Sequence, residues 1–333
     1  MVASRCRNVL LTGAMVVGIG LGAAQAVVAA PLVLATTGMV GDTVERLGDE
    51  CIDVEVLMGP GVDPHLFQAS ASDVRAFQQA ELIVYNGFGL EGQLDNVLTR
   101  VGERRPTLAL AEAAAAEGPL ERIQGTGGYA VDPHLWMDAG LWAQGVAPLA
   151  GMLTDIAPGC AEAINDRADT LHEQLQALDE WIRARIASIP EAQRALLTAH
   201  DAFRYYGRAY GIEVEGIQGI STSAEASVAD IQATADLIAE RGIPAIFVET
   251  TINPRTVEAV LAAARERSAE VSIGGSIYGD ALGEPGTLAD SLIGMLIHNT
   301  AAITGALGGT MAPLPPVLAP WRGSLDAQPA RGD

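Results

Sequence analysis

AEAINDRADTLHEQLQALDEWIRARI, residues 161–186, carries the most regular pattern in the chain. Its apolar positions, Ala161, Ile164, Ala168, Leu171, Leu175, Leu178, Ile182 and Ile186, recur at steps of three and four with charged residues between them, and Pro190 follows. That is the period of a single amphipathic helix that stops before a proline. A helix of about thirty residues runs roughly 45 Å, longer than one lobe needs. The stretch reads as a stiff spine joining two lobes.

On both sides of the spine, short β-branched runs alternate with helical patterns, the rhythm of βαβ units and parallel sheets. Before it, strands are expected at Leu32 to Thr36, Asp53 to Leu57, Glu81 to Tyr85 and Thr107 to Leu110. A helix with a capping-box start at Ser70 and Asp73 lies between the second and third. After it, strands are expected at Ala195 to Thr198, Ile212 to Glu215, Ala245 to Val248 and Val271 to Ile273, with helices at Ala224 to Arg241, closed by Gly242, and Leu288 to Gly305. The predicted fold is α/β: two (β/α) lobes, each with a parallel four-stranded sheet, at 27–155 and 191–308, joined by the backbone helix at 156–190. Past Gly308 the chain is rich in Pro and Gly, so residues 309–333 are expected to form a disordered tail. The tail ends Arg331-Gly332-Asp333, an integrin-binding tripeptide that is a chance match without structural context.

The first thirty residues have a different character. Arg5 and Arg7 precede an uncharged run rich in Ala, Val, Gly and Leu that ends in small residues. Such a segment is a secretory signal peptide, here residues 1–26, cut after Ala26, with Ala30 as a second site. The run is about long enough to be an uncleaved anchor, but its Gly and Ala content favours cleavage. No Leu-x-Gly-Cys lipidation site follows it, and Cys6 lies ahead of it. A free periplasmic protein is expected. The formal net charge is -21, and every basic residue is Arg. That excludes nucleic acid as a partner, and an acidic surface enriches cations without choosing among them. Cys51 and Cys160 remain after cleavage in a compartment that permits a disulfide, and sequence alone leaves open whether they bond.

The chain has five histidines, and two of them share a tetrapeptide: Asp63-Pro64-His65-Leu66 and Asp132-Pro133-His134-Leu135. The first follows a strand and a Gly-rich loop, and the second follows the Gly-rich stretch Gly125 to Tyr129. His200 follows the strand at Ala195 to Thr198, and Asp280 follows the last strand in a Gly-rich turn. Strand exits of open α/β sheets border the ligand crevice. Imidazoles with a carboxylate make a site for a first-row transition metal, whereas Ca²⁺ and Mg²⁺ favour all-oxygen sets. With two donors before the spine and two after it, His65, His134, His200 and Asp280 would place an ion in the cleft between the lobes. Asp63 and Asp132, each two residues before a histidine, are candidates to orient the imidazoles, as are Asp201 and Glu249. His172 on the polar face of the spine and His298 in the last helix are read as structural.

These segments, with Tyr85-Asn86-Gly87, Gly216 to Thr222 and Ser276 to Gly283, resemble the zinc- and manganese-binding receptors of metal ABC importers, the TroA-like family. They occur in the family's order over nearly all of the mature chain. The resemblance implies two α/β lobes on a backbone helix, small hinge motion, and the same set of metal ligands at His65, His134, His200 and Asp280. It also implies delivery of the ion to a membrane permease with its cytoplasmic ATPase, by a receptor expected to be monomeric.

The cargo is expected to be one Zn²⁺ or Mn²⁺ per chain, with Fe²⁺ also compatible with the donors. Zinc-specialised members often carry a His-rich loop before the second ligand, and here Gly118 to Ala130 holds no His. Members specialised for manganese usually have Glu where this chain has His200. Two other readings compete. A zinc hydrolase would need an open coordination position and a base, but Asp280 would fill the fourth position and no His-Glu-x-x-His pattern exists. A surface adhesin of the same fold has no repeats or anchor to support it.

Overall fold

A computed structural model describes residues 29–326 except 117, 119 and 123–129. The expected signal peptide, the Gly125 to Tyr129 stretch and the terminal tripeptide lie outside the described residues. Ahead of the spine come β1 (Leu32–Thr37), α1 (Gly38–Gly48), β2 (Asp53–Met58), α2 (Ala71–Gln79), β3 (Leu82–Tyr85), α3 (Asp95–Gly102), β4 (Thr107–Ala109), α4 (Leu110–Ala114), α5 (Ala139–Trp142) and α6 (Val146–Ile156). The spine is α7 (Ala161–Ala187), an unbroken helix of 27 residues. After it come β5 (Ala195–His200), α8 (Arg204–Tyr210), β6 (Glu213–Gln218), α9 (Val228–Arg241), β7 (Ala245–Glu249), α10 (Arg255–Glu266), β8 (Ser272–Ile277), α11 (Leu292–Ala306) and α12 (Arg322–Asp326). Among the described residues, no helix is long and apolar enough to cross a membrane.

The first four strands form one parallel sheet in the order β2-β1-β3-β4. Val33, Leu34 and Ala35 of β1 are fully buried, as expected of an inner strand covered on both faces. The second half departs from the expected four-stranded sheet. Its ladders join β5 to β6 and β7 to β8 as two parallel pairs. β5 and β7 lie side by side, but at the end of β5 the backbone N–H of His200 donates to the side chain of Glu249 at 2.8 Å. A carboxylate that belongs to the site takes the place of a strand partner there.

One large core runs from the first sheet through the spine to α8 and α11, with smaller cores on the outer side of each half. The apolar stripe of the spine, including Ile164, Leu171, Leu175, Leu178, Ile182 and Ile186, is buried in it. Trp181, outside that periodic set, is buried as well. The helix expected from Ala224 starts at Val228, because Ser227 and Asp230 form a reciprocal capping box. The residues ahead of that cap are therefore free to shape a loop beside the site. Cys51 and Cys160 are bonded, with Cα atoms 6.2 Å apart and a sequence separation of 109. The bond ties the end of the α1 segment to the start of the spine.

The tail is not disordered as far as it is described. Residues 316–321 form a 3-10 turn, and Leu314, Leu318 and Trp321 are buried. Pro at positions 315, 316 and 320 suppresses the α-helical signal, yet its fixed φ suits such a turn. The spacing of the three apolar residues puts them on one side. The segment lies along the spine, where the Trp181 indole N–H donates to the Ala312 carbonyl at 3.2 Å and Arg185 donates to Thr310 at 2.6 Å. Its end is pinned by Trp321, whose indole N–H donates to Ser291 at 3.0 Å. The Arg46 guanidinium sits 5.0 Å from the Trp321 ring centroid. Trp321→Ala should therefore lower the unfolding free energy of the metal-free protein by about 3 kcal/mol, the usual cost of emptying a buried aromatic site. A denaturant titration checks this, and a loss below about 1 kcal/mol would mean that the tail is not docked in solution.

Candidate metal centre

The four donors named from sequence converge at the C-terminal ends of the strands. His65 lies in the loop after β2, His134 at the start of a short turn leading to α5, His200 at the last position of β5, and Asp280 three residues past β8. Parallel strands aim their exits in one direction, so loops distant in sequence meet. All four residues are buried, and their donor atoms lie within 4.8 Å of one another.

The spacing is informative. His65 Nε2 is 3.3 Å from His134 Nε2 and 3.4 Å from Asp280 Oδ2. His134 Nε2 is 3.3 Å from Asp280 Oδ1, and His200 Nε2 is 3.0 Å from Asp280 Oδ2. Donors held about 2.0 to 2.2 Å from a tetrahedral ion sit roughly 3.3 to 3.6 Å apart, so most of these separations are those of ligands sharing one ion. Both Asp280 oxygens and His200 Nε2 are buried without a hydrogen bond of acceptable geometry. Buried polar atoms are normally satisfied, and a cluster of exceptions marks a place for another group. Nitrogen-rich donors with one carboxylate suit zinc and its first-row neighbours.

Each histidine is fixed from behind. Asp63 Oδ1 accepts the His65 backbone N–H at 2.9 Å. Asp132 Oδ1 accepts the backbone N–H of His134 at 2.9 Å and lies 2.7 Å from its Nδ1. Glu249 Oε2 lies 2.8 Å from His200 Nδ1, while its other oxygen takes the His200 backbone N–H. With Nδ1 facing a carboxylate in each, as a hydrogen bond in His134 and as an ion-pair distance in His200, Nε2 of both is the nitrogen turned to the centre. Asp201 does not join this set: its carboxylate accepts from Arg204 Nε at 2.6 Å. Being next to His200 in sequence is not enough, because Asp201 lies just past the end of β5, where its carboxylate turns to Arg204. His172 and His298 lie elsewhere, against the carbonyls of Ala143 and Ser276.

Several contributors carried no sequence signal of their role. The buried Asn86 amide donates to the Pro133 carbonyl at 2.9 Å, steadying the residue before His134. Glu91, pushed up in pKa by its burial, caps that turn by accepting from Thr36 and from the backbone of Asn86, both at 2.7 Å. Asn299 clamps the Tyr278 backbone with two bonds of 2.9 and 2.8 Å, two residues before Asp280. Gly279 must lack a side chain, since a Cβ would collide with the Glu249 carboxylate. Only the quoted motifs Tyr85-Asn86-Gly87 and Ser276 to Gly283 touched any of these.

The electrostatics follow from burial and pairing. Burial works to lower the His134 pKa, but the carboxylates of Asp132 and Asp280 outweigh it and push it up to about 9. Burial also opposes the charged form of His200, and Asp280 and Glu249 raise it well above the ordinary imidazole value. Asp280, despite the upward pull of its burial, is held well below the carboxylate range by His200 and His134. The centre thus sets an ionised carboxylate beside the His134 and His200 imidazoles, which hold protons tightly, a charge pattern that a divalent cation can replace.

Comparison with known proteins agrees with this architecture. The chain is 41% identical over 276 residues to the manganese-binding lipoprotein MntA of Bacillus subtilis, covering 83% of this chain and 89% of that protein. It is 40% identical over 277 residues to the zinc-binding protein TroA of Treponema pallidum, with the same coverage of 83% and 89%. The solved structure of the periplasmic zinc-binding protein TroA superposes with a TM-score of 0.79 at 39% identity, covering 84% of this chain and 99% of that one. The family model described as zinc-uptake complex component A, periplasmic, matches residues 33–306. This chain belongs to that ZnuA family, whose members are metal-binding solute-binding proteins and not enzymes.

Proposed function

We propose that this protein captures a single Zn²⁺ or Mn²⁺ through His65, His134, His200 and Asp280 and delivers it to an ABC permease and its cytoplasmic ATPase. The observation that carries the reading is the set of four buried donors within 4.8 Å of one another, three of them imidazoles 3.0 to 3.4 Å from a carboxylate that has no hydrogen bond of acceptable geometry. The ion is cargo, held between lobes at 27–155 and 191–308 that flank the connecting segment 156–190. Because every donor is buried, loading and release require the lobes to part. Relatives named for manganese and for zinc are about equally similar to this chain, which supports a joint cargo. Fe²⁺ fits the same donor chemistry. We place the mature, monomeric chain in the periplasm.

Elemental analysis of the protein purified without chelators tests this directly. A single zinc or manganese per chain is expected, and it should be lost in His65→Ala and in Asp280→Ala. Retention of the ion by both variants would refute the ligand assignment.

Proton competition gives a second test. Ligating imidazoles must be neutral, and the sequence alone placed their titration at about pH 6 to 7. The carboxylates around His134 move that window up, to about 9. Below that pH an incoming ion must displace a proton, so binding should release protons at neutral pH. Apparent affinity should climb by up to about tenfold per pH unit for each proton displaced, with the His134 contribution complete near pH 9. Calorimetry in buffers of different ionisation enthalpy measures the release, and binding with no proton release at pH 7 would contradict this account.

Selectivity gives a third. Replacing the His200 nitrogen by a third carboxylate in the centre, beside Glu249, favours an oxygen-loving ion over zinc. His200→Glu should shift the Zn/Mn affinity ratio toward manganese by roughly tenfold, read by competition between the two ions. An unchanged ratio would show that His200 does not set the preference.

A further inference from the structure

Two hydrogen bonds cross between the halves of the chain next to the centre. The Trp136 indole N–H donates to the Gly279 carbonyl at 3.1 Å, joining the peptide beside Asp280 to the segment of His134. The Thr222 hydroxyl donates to Asp63 Oδ2 at 2.6 Å, while Asp63 Oδ1 holds the His65 backbone N–H. Trp136 is deep in the common core, whereas Thr222 is only half-buried, in the loop between β6 and the Ser227 cap. That loop is shaped around it. The Ser221 hydroxyl accepts the Ser223 backbone N–H at 3.2 Å and lies 2.8 Å from the Ser223 hydroxyl, closing a turn with Thr222 at its centre.

We propose that Thr222 is a positioning residue for cargo retention: from the second lobe it anchors the carboxylate that fixes the His65 loop, so that the ion leaves only when this bond breaks. The proposal rests on the assignment of His65 as a ligand. A hydroxyl donating to a carboxylate is among the stronger hydrogen bonds, and this one is made only when the two lobes are together. Its contribution therefore falls on the closed state. Breaking it speeds departure of the ion, while the encounter with an incoming ion is unaffected, because the bond has not yet formed at that stage. Thr222 touches no donor atom itself and acts through Asp63.

The test uses the full mature chain loaded with Zn²⁺, mixed rapidly with excess chromogenic chelator, and compares Thr222→Val, which keeps the shape but not the donor, with Thr222→Ser, which keeps the donor. Thr222→Val should release the ion about tenfold faster, with an unchanged rate of loading, and Thr222→Ser should restore slow release. Wild-type release from Thr222→Val, or equally fast release from Thr222→Ser, would overturn the proposal while leaving the ligand assignment intact. His65→Ala separates the two failures, because stoichiometric Zn²⁺ in that variant would remove the ligand assignment and the latch with it.

Discussion

The arrangement of the centre hinges on the ionised carboxylate of Asp280, which has almost no contact with water. A bare carboxylate in such a place is costly, and only opposite charge or strong donors offset it. The surrounding chain brings three imidazoles within 3.4 Å from both halves of the molecule. Neither half alone satisfies the carboxylate, so the two halves have an electrostatic reason to meet. A divalent cation bound there would supply the missing charge in one step and displace protons held by His134 and His200.

The scaffold holds the donors with unequal rigidity. His200 sits on a buried strand and is gripped at its backbone and ring by the two oxygens of Glu249. His134 is gripped similarly by Asp132, with Asn86 behind it. Asp280 is presented by a turn that Asn299 clamps within its own half and Trp136 reaches from the other. His65 is held through its backbone by Asp63, on the loop after β2. Donors on buried strands keep their geometry better than donors on loops.

Much of this was legible in the sequence because it rests on periodicity and residue type. The heptad-like stripe of residues 161–186 marked the spine, and the βα rhythm marked all eight strands to within a few residues. The donors were legible because histidine is scarce here and two of the five sit in repeated tetrapeptides. Contacts between distant segments were not legible. Nothing in Thr222 or Asn299 announces a partner 159 or 21 residues away, and the pairing of Cys51 with Cys160 is a fact of three-dimensional proximity. The docked tail was missed for a different reason. Its prolines mask helical periodicity, so three buried side chains read as composition instead of pattern. The division of the second sheet into two strand pairs was also hidden, since a side-chain carboxylate interrupts the ladder where propensity expects a backbone partner.

Retention and delivery make opposed demands on such a centre. Burial of all four donors removes competing water and strengthens each electrostatic contact, which favours tight capture. The same burial leaves no path for exchange unless the halves separate. The spine and the core continuous with it keep one side of the two halves packed, so on the proposed reading a separation would occur at the strand exits. On the proposed reading, affinity in the closed state would be high without trapping the ion permanently, because contacts such as that of Thr222 with Asp63 would contribute to the barrier to release. The donor set would then decide which ions are accepted, and the contacts between the halves how long an ion stays.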